Sequence, residues 1–263
     1  MQSSNPVLGR AFPKKGYAAQ PPLFGRRTED ALENIYNAPS ASSLQTGRMT
    51  IEDVVARTSF LFAILVAVGG TAWYFNMGMG VLLVGFIGAF ILAMVNIFSK
   101  TVRPALIMAY AAFEGLALGT LSHFYETIYP GIVSQAVIGT LAAFAGVLFM
   151  YRSGRLRATP KFTRVLMGAA IGYIVLGLVS FASSFFGVGG GYGFYGTGIG
   201  LLLALGGVVI ASLFLVLDFD QIENAVRAGV PESESWRAGF GLMVTLVWLY
   251  LEILRLLSIL RRD

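Results

Sequence analysis

The chain has 263 residues, 56% of them hydrophobic and 13% charged, with a formal net charge of +5 and no cysteine. Those proportions exclude an ordinary soluble domain, and the missing cysteines exclude a disulfide framework, a thiolate metal site and a cysteine nucleophile. The basic residues stand between apolar runs rather than along one face, so the charge does not read as a nucleic-acid surface, and the expected surroundings are a lipid bilayer.

Residues 1–57 come first, with Pro6, Pro13, Pro21, Pro22 and Pro39, scattered Gly and Ser, and no sustained apolar period. This composition predicts a disordered basic tail, with a short helix over Thr28 to Asn37 where threonine precedes acids. The tail has no leader-like apolar stretch behind its positive residues, so the first span is expected to act as the insertion signal. The membrane domain is read as 58–263.

A membrane helix needs roughly 20 apolar residues and must satisfy its backbone hydrogen bonds internally. Seven stretches meet that test, near 58–75, 77–98, 104–122, 131–151, 163–186, 197–217 and 240–260. Only Asn76 and the glycines at 78 and 80 divide the first two, which predicts a tight hairpin. Glu252 and Arg255 interrupt the last, which is read as crossing, with a re-entrant segment as the alternative. The fold class is therefore all-α integral membrane.

Basic residues resist translocation. The tail holds seven Lys and Arg, the loop at Lys100 and Arg103 two, and residues 152–164 five, whereas the intervening loops after 75, 122 and 186 hold none. The N-terminus is expected in the cytoplasm of a cell-membrane protein. Arg261 and Arg262 would then lie outside, against the rule.

Several motifs fail on context. Gly191, Gly193 and Gly196 match G-x-G-x-x-G, but a dinucleotide site needs a preceding strand within a βαβ unit. Gly115 with Gly119, Gly168 with Gly172 and Gly196 with Gly200 have the spacing of close helix approach. His123 is the only histidine and cannot by itself build a metal site. Neither G-x-S-x-G nor G-x-G-D is present, and the chain is not read as an enzyme.

Ionisable groups at membrane depth remain, and these are costly there. Glu114 lies in the third span, Asp218 and Asp220 at the end of the sixth, with Glu223 just beyond, and Glu252 in the seventh. Residues two apart on a helix diverge by about 200°, so Asp218 and Asp220 cannot both face one pocket. The plain readings are an ion pair of Glu252 with Arg255 on one helix face and a helix-to-helix hydrogen bond for Glu114.

The pattern EG at Glu114 and Gly115, LDFDQI at Leu217 to Ile222, and LYLEILRLLSIL at Leu249 to Leu260, set in seven spans, resembles the transmembrane Bax inhibitor motif family, also called Bax-inhibitor-1-like. The opening MQSSNPVL is similar to starts in a bacterial branch of it. The resemblance covers roughly residues 50–260. It implies a seven-helix bundle around a central C-terminal helix, and a pH-sensitive calcium leak with no cofactor, calcium being the permeating ion. By motif, the family's paired carboxylate sensor falls on Asp218 and Glu252, the second being glutamate where the family has aspartate. A basic latch before the third span would fall on Lys100 or Arg103.

Two carboxylates held together in a low dielectric would share a proton and titrate as a unit. The shared proton would seal the path, and separated charges would open a wet, cation-attracting mouth. Asp218 and Glu252 would then meet calcium transiently, with Glu114, Asp220 and Arg255 lining or supporting the route. From another class comes the reading of a non-conducting regulator that binds a membrane protease or other membrane partner, for which the basic tail speaks.

Overall fold

The computed structural model describes residues 47–262, so the expected tail disorder and the helix over Thr28 to Asn37 lie outside the described residues. Seven helices follow in order: α1 (Ile51–Tyr74), α2 (Met79–Phe98), α3 (Pro104–Ile128), α4 (Ile132–Arg152), α5 (Pro160–Ser184), α6 (Gly200–Ala228) and α7 (Glu234–Arg262). Each is long and apolar enough to cross a membrane.

The helices start and stop where side-chain chemistry dictates, and this moves several sequence boundaries. α1 begins at Ile51 rather than in the late fifties. The Thr50 hydroxyl accepts from the Asp53 amide at 3.2 Å while the Asp53 carboxylate accepts from the Thr50 amide at 2.9 Å. This capping box satisfies two otherwise orphaned donors. The tail assignment to residue 57 is corrected accordingly. Proline opens α3 and α5, where its missing N–H costs nothing. α3 runs on through His123 to Ile128, because the polar residues there need only an aqueous interface to continue the helix. Gly229, at φ 66°, ends α6.

α7 is the centre. One of its faces places Phe240, Met243 and Val247 in a core with α1, α2 and α3. The other places Leu242, Leu249, Ile253 and Leu254 against α4 and α6. It is one unbroken helix of 29 residues, about 43 Å at 1.5 Å per residue. That length suits a crossing segment and leaves the re-entrant alternative without a break to turn on.

Small residues set the closest helix contact. A Cβ at Gly119 would collide with the backbone of Gly69 on α1, and one at Gly115 would sit 2.6 Å from the Leu65 carbonyl oxygen. The other two glycine pairs do not serve helix packing. Gly168 and Gly172 face open space, and Gly196 and Gly200 lie against the backbone of Gly189 and Tyr195 within the glycine-rich turns. Those turns, Val188–Gly191 and Gly193–Gly196, are 3₁₀ segments between membrane helices. No strand precedes them among the described residues, as a dinucleotide fingerprint would require.

α5 stands apart. It contributes to neither core and packs against α6 and the glycine-rich turns. Gly193 meets the Ser180 carbonyl oxygen, and the Ser180 hydroxyl accepts from the Phe194 amide at 2.9 Å. At the opposite end of the bundle, residues 47–50 strap the α6–α7 loop. The Met49 amide donates to Val230 at 2.8 Å, the Glu232 amide to Gly47 at 2.9 Å, and Arg57 pairs with Glu232 at 3.1 Å.

Candidate functional site

Glu252 is 3% exposed, and its surroundings explain how α7 tolerates it. One carboxylate oxygen accepts from Trp248 Nε1 at 3.1 Å, the other from the Tyr173 hydroxyl at 2.7 Å, and Arg255 bonds both at 3.0 Å. Trp248 and Arg255 come from its own helix, four residues before and three after, which places them on the same face. Tyr173 reaches across from α5. The Tyr195 hydroxyl, from the glycine-rich turns, donates to Tyr173 at 2.9 Å, and the Arg255 guanidinium lies over the Tyr195 ring at 4.6 Å. Gly207 on α6 makes room, because any side chain there would run into Tyr173 and the Glu252 carboxylate. The expected ion pair with Arg255 is thus present within a larger polar cluster. This cluster floors a cavity of about 860 Å³ that also touches Tyr125, Phe181 and Arg262.

Asp218 stands in a different place and a different state. It lines a second cavity of about 400 Å³ with Met49, Gln221, Glu234, Arg237 and Gly241. Thr245 on α7 faces its carboxyl. Its Oδ2 is buried and has no hydrogen-bond partner among the described residues.

The two carboxylates expected to share a proton are therefore not a pair in this structure. Glu252 sits opposite Gly207 and Asp218 opposite Thr245. These positions are eleven residues apart on α6 and seven on α7, or roughly 10 to 16 Å along the helices. Motif order carries no information about the register of α6 against α7, and that register decides which residues meet.

The supporting residues also move. Glu114 has the Tyr110 side chain, one turn earlier on α3, as its polar neighbour, which is a neighbour within the helix rather than between helices. The Tyr110 ring in turn packs edge-on against Phe240 of α7, with centroids 5.0 Å apart. Asp220 turns away from Asp218, as the helical angle requires, and accepts from Asn224 at 2.9 Å. Glu223 accepts from Tyr151 on α4 at 2.5 Å and pairs with Arg227.

Lys100 and Arg103 are exposed and pair with no carboxylate among the described residues. The basic residue that ties the α2–α3 loop to the bundle is Arg237. It donates to the carbonyls of Ser99 and Lys100 at 3.1 and 3.3 Å, binds Glu234 at 3.0 Å, and lines the Asp218 cavity. Nothing in the spacing of the chain marks Arg237, because the carbonyls it binds lie on a distant loop. Tyr173 did carry a sequence signal: a hydroxyl in the middle of an apolar span needs a partner.

Among the described residues no three His, Asp or Glu side chains converge as a metal cage would require. A calcium ion at Asp218 would be held by that carboxylate with carbonyl, amide and water oxygens, the hard donors it prefers. Compared with known proteins, residues 5–262 match the model of a family described as Bax inhibitor 1 like. No curated protein matches the chain.

Proposed function

Starting from the chain's membership of the Bax inhibitor 1 like family as a multi-pass membrane protein, we propose that it is a pH-sensitive cation leak, with calcium as the permeating ion. Its two carboxylates act in series rather than as a pair. Asp218 draws the cation into one mouth, and the Glu252, Arg255 and Tyr173 cluster closes the path at the other level of the bundle. The observation that carries the reading is the Asp218 carboxylate oxygen, buried at a cavity wall with no hydrogen-bond partner among the described residues. An unsatisfied buried acceptor is expensive unless function keeps it.

A deprotonated Asp218 attracts cations and a protonated one does not, so flux rises with pH through its titration. The chain lies in a cell membrane with its N-terminus cytoplasmic, which puts the Asp218 mouth on the cytoplasmic side. Reporters fused after Pro231 and after Asp263 should read cytoplasmic and external respectively.

The decisive measurement is calcium flux into proteoliposomes between about pH 5 and 8, a window in which a perturbed carboxylate is expected to titrate. Asp218→Asn should flatten the profile. Glu252→Gln leaves Arg255 an unpaired cation and should lower flux at every pH while keeping the shape of the profile. A shared proton would flatten both. An unchanged profile in Asp218→Asn would sink the proposal.

The competing reading, a regulator of a membrane protease, rests on a tail outside the described residues. Deleting residues 1–46 spares the strap over the α6–α7 loop and should leave flux intact. Loss of flux from a folded, inserted deletion variant would move function to the tail.

A further inference from the structure

The larger cavity holds features that the leak does not use. Its floor is polar, but its walls are apolar and open sideways. Ile174, Leu178 and Phe181 line it from α5 and Phe124 from α3, and all four are more than half exposed, as lipid-facing residues of a bundle are. The opening exists because α5 packs mainly on α6 and the glycine-rich turns and reaches α7 through Tyr173, contributing to neither hydrophobic core. Gly177, between these apolar residues, has nothing within 4 Å of where a Cβ would be. At the upper edge stands Arg262, whose guanidinium lies over the Tyr192 ring at 5.1 Å and donates to the Tyr195 carbonyl at 3.3 Å. It pairs with no carboxylate among the described residues, and one N–H bond leaves other donors of its fork unused.

We propose that this lateral cleft is a binding site for one anionic phospholipid, its phosphate on Arg262 and one acyl chain along Ile174, Leu178 and Phe181. The charge argues for the anion. Arg255 is neutralised by Glu252, so Arg262 leaves the cleft with net positive charge, and a guanidinium fork suits phosphate. The walls argue for a chain rather than a soluble phosphate, because an apolar groove that faces lipid offers nothing to an inorganic ion. An Arg at the end of a membrane helix, with Tyr192 of the glycine-rich turns beside it and an apolar groove next to both, also matches the depth of a headgroup.

Trp248 lines the cleft and supplies the probe. In the full chain carrying Trp73→Phe and Trp236→Phe, Trp248 is the remaining tryptophan. Its fluorescence would be followed in detergent micelles as brominated phosphatidylglycerol, or brominated phosphatidylcholine with the same chains, is added. The anionic phosphatidylglycerol should reach half-maximal quenching at roughly tenfold lower mole fraction, the scale of one charge-assisted contact. Arg262→Gln, at an exposed helix end, should bring the two lipids together. Gly177→Leu should reduce quenching by both, because its side chain occupies the groove. Equal quenching in the parent would mean ordinary lipid contact and overturn the site. So would a preference that survives Arg262→Gln, or quenching untouched by Gly177→Leu. Inorganic phosphate added as competitor should not restore fluorescence, and restoration would show a phosphate site in place of a lipid one.

Discussion

Two carboxylates packed at different levels of α7 are treated in opposite ways. At Glu252 every oxygen has a partner, the charge is matched by Arg255, and a glycine on the facing helix makes room for the cluster. At Asp218 one oxygen has none and the side chain looks into a cavity. A satisfied buried charge holds a bundle in one arrangement. An unsatisfied one beside a cavity is available to a proton or a cation. The difference assigns stability to one acid and response to the other, although both occupy motifs that sequence reading would treat alike.

The sharpest way to break this comparison is Arg255→Leu. It leaves Glu252 buried and without its counter-charge, a change that typically costs about 3–5 kcal/mol. Asp218→Asn, by contrast, removes a charge that has no ion-pair partner among the described residues and keeps a group that can still meet Thr245, so it should shift stability by less than about 1 kcal/mol in either direction. Thermal unfolding of both variants in detergent decides. A larger loss for Asp218→Asn would reverse the assignment.

Gly207→Val sharpens it further. The added side chain would push Tyr173 and Glu252 apart, at about 1–3 kcal/mol for an overpacked contact. If that cluster also seals the path, calcium flux should rise at all pH values while its pH dependence, which belongs to Asp218, keeps its shape. A variant that is destabilised but no leakier would leave the cluster structural only.

Much of this was legible in the chain. The seven apolar stretches gave seven helices because a backbone in lipid has little else to do, and Glu252 with Arg255 announced an ion pair by spacing alone. What escaped was everything set between helices. Whether Asp218 meets Glu252 depends on how far α6 slides along α7, and the helical repeat is indifferent to that. The three glycine pairs look identical in sequence, yet only Gly115 and Gly119 have a helix backbone opposite them. Helix ends ran past the apolar runs wherever a cap or an aqueous interface sustained them, as at Thr50 and beyond His123.

A smaller effect separates Arg237 from the residues that the motif suggested for a latch. Arg237→Gln loses two carbonyl bonds and the pair with Glu234, and should cost about 1–2 kcal/mol. Lys100→Ala and Arg103→Ala, both exposed, should stay within about 0.5 kcal/mol. Because Arg237 borders the Asp218 cavity, its loss should also raise flux by removing a positive charge from the mouth. If Lys100→Ala or Arg103→Ala does so instead, the basic latch belongs where the motif put it.

The smallest expected effect tests the comparison at its finest grain. Asp220 lies two residues from Asp218 in the same motif, yet it does not line the cavity and, among the described residues, its hydrogen bond is to Asn224 on its own helix. Asp220→Asn keeps the side chain's size and an acceptor for that bond, so stability should change by less than about 0.5 kcal/mol. The flux profile should match the parent's between about pH 5 and 8, since a carboxylate on the far side of the helix contributes little to a screened mouth. Measured beside Asp218→Asn in one set of vesicles, this variant isolates direction from charge, because both substitutions remove one negative charge from one helical turn. A profile flattened by Asp220→Asn and spared by Asp218→Asn would show that the responding carboxylate is the one outside the cavity, and the division between a structural Glu252 and a responsive Asp218 would fail.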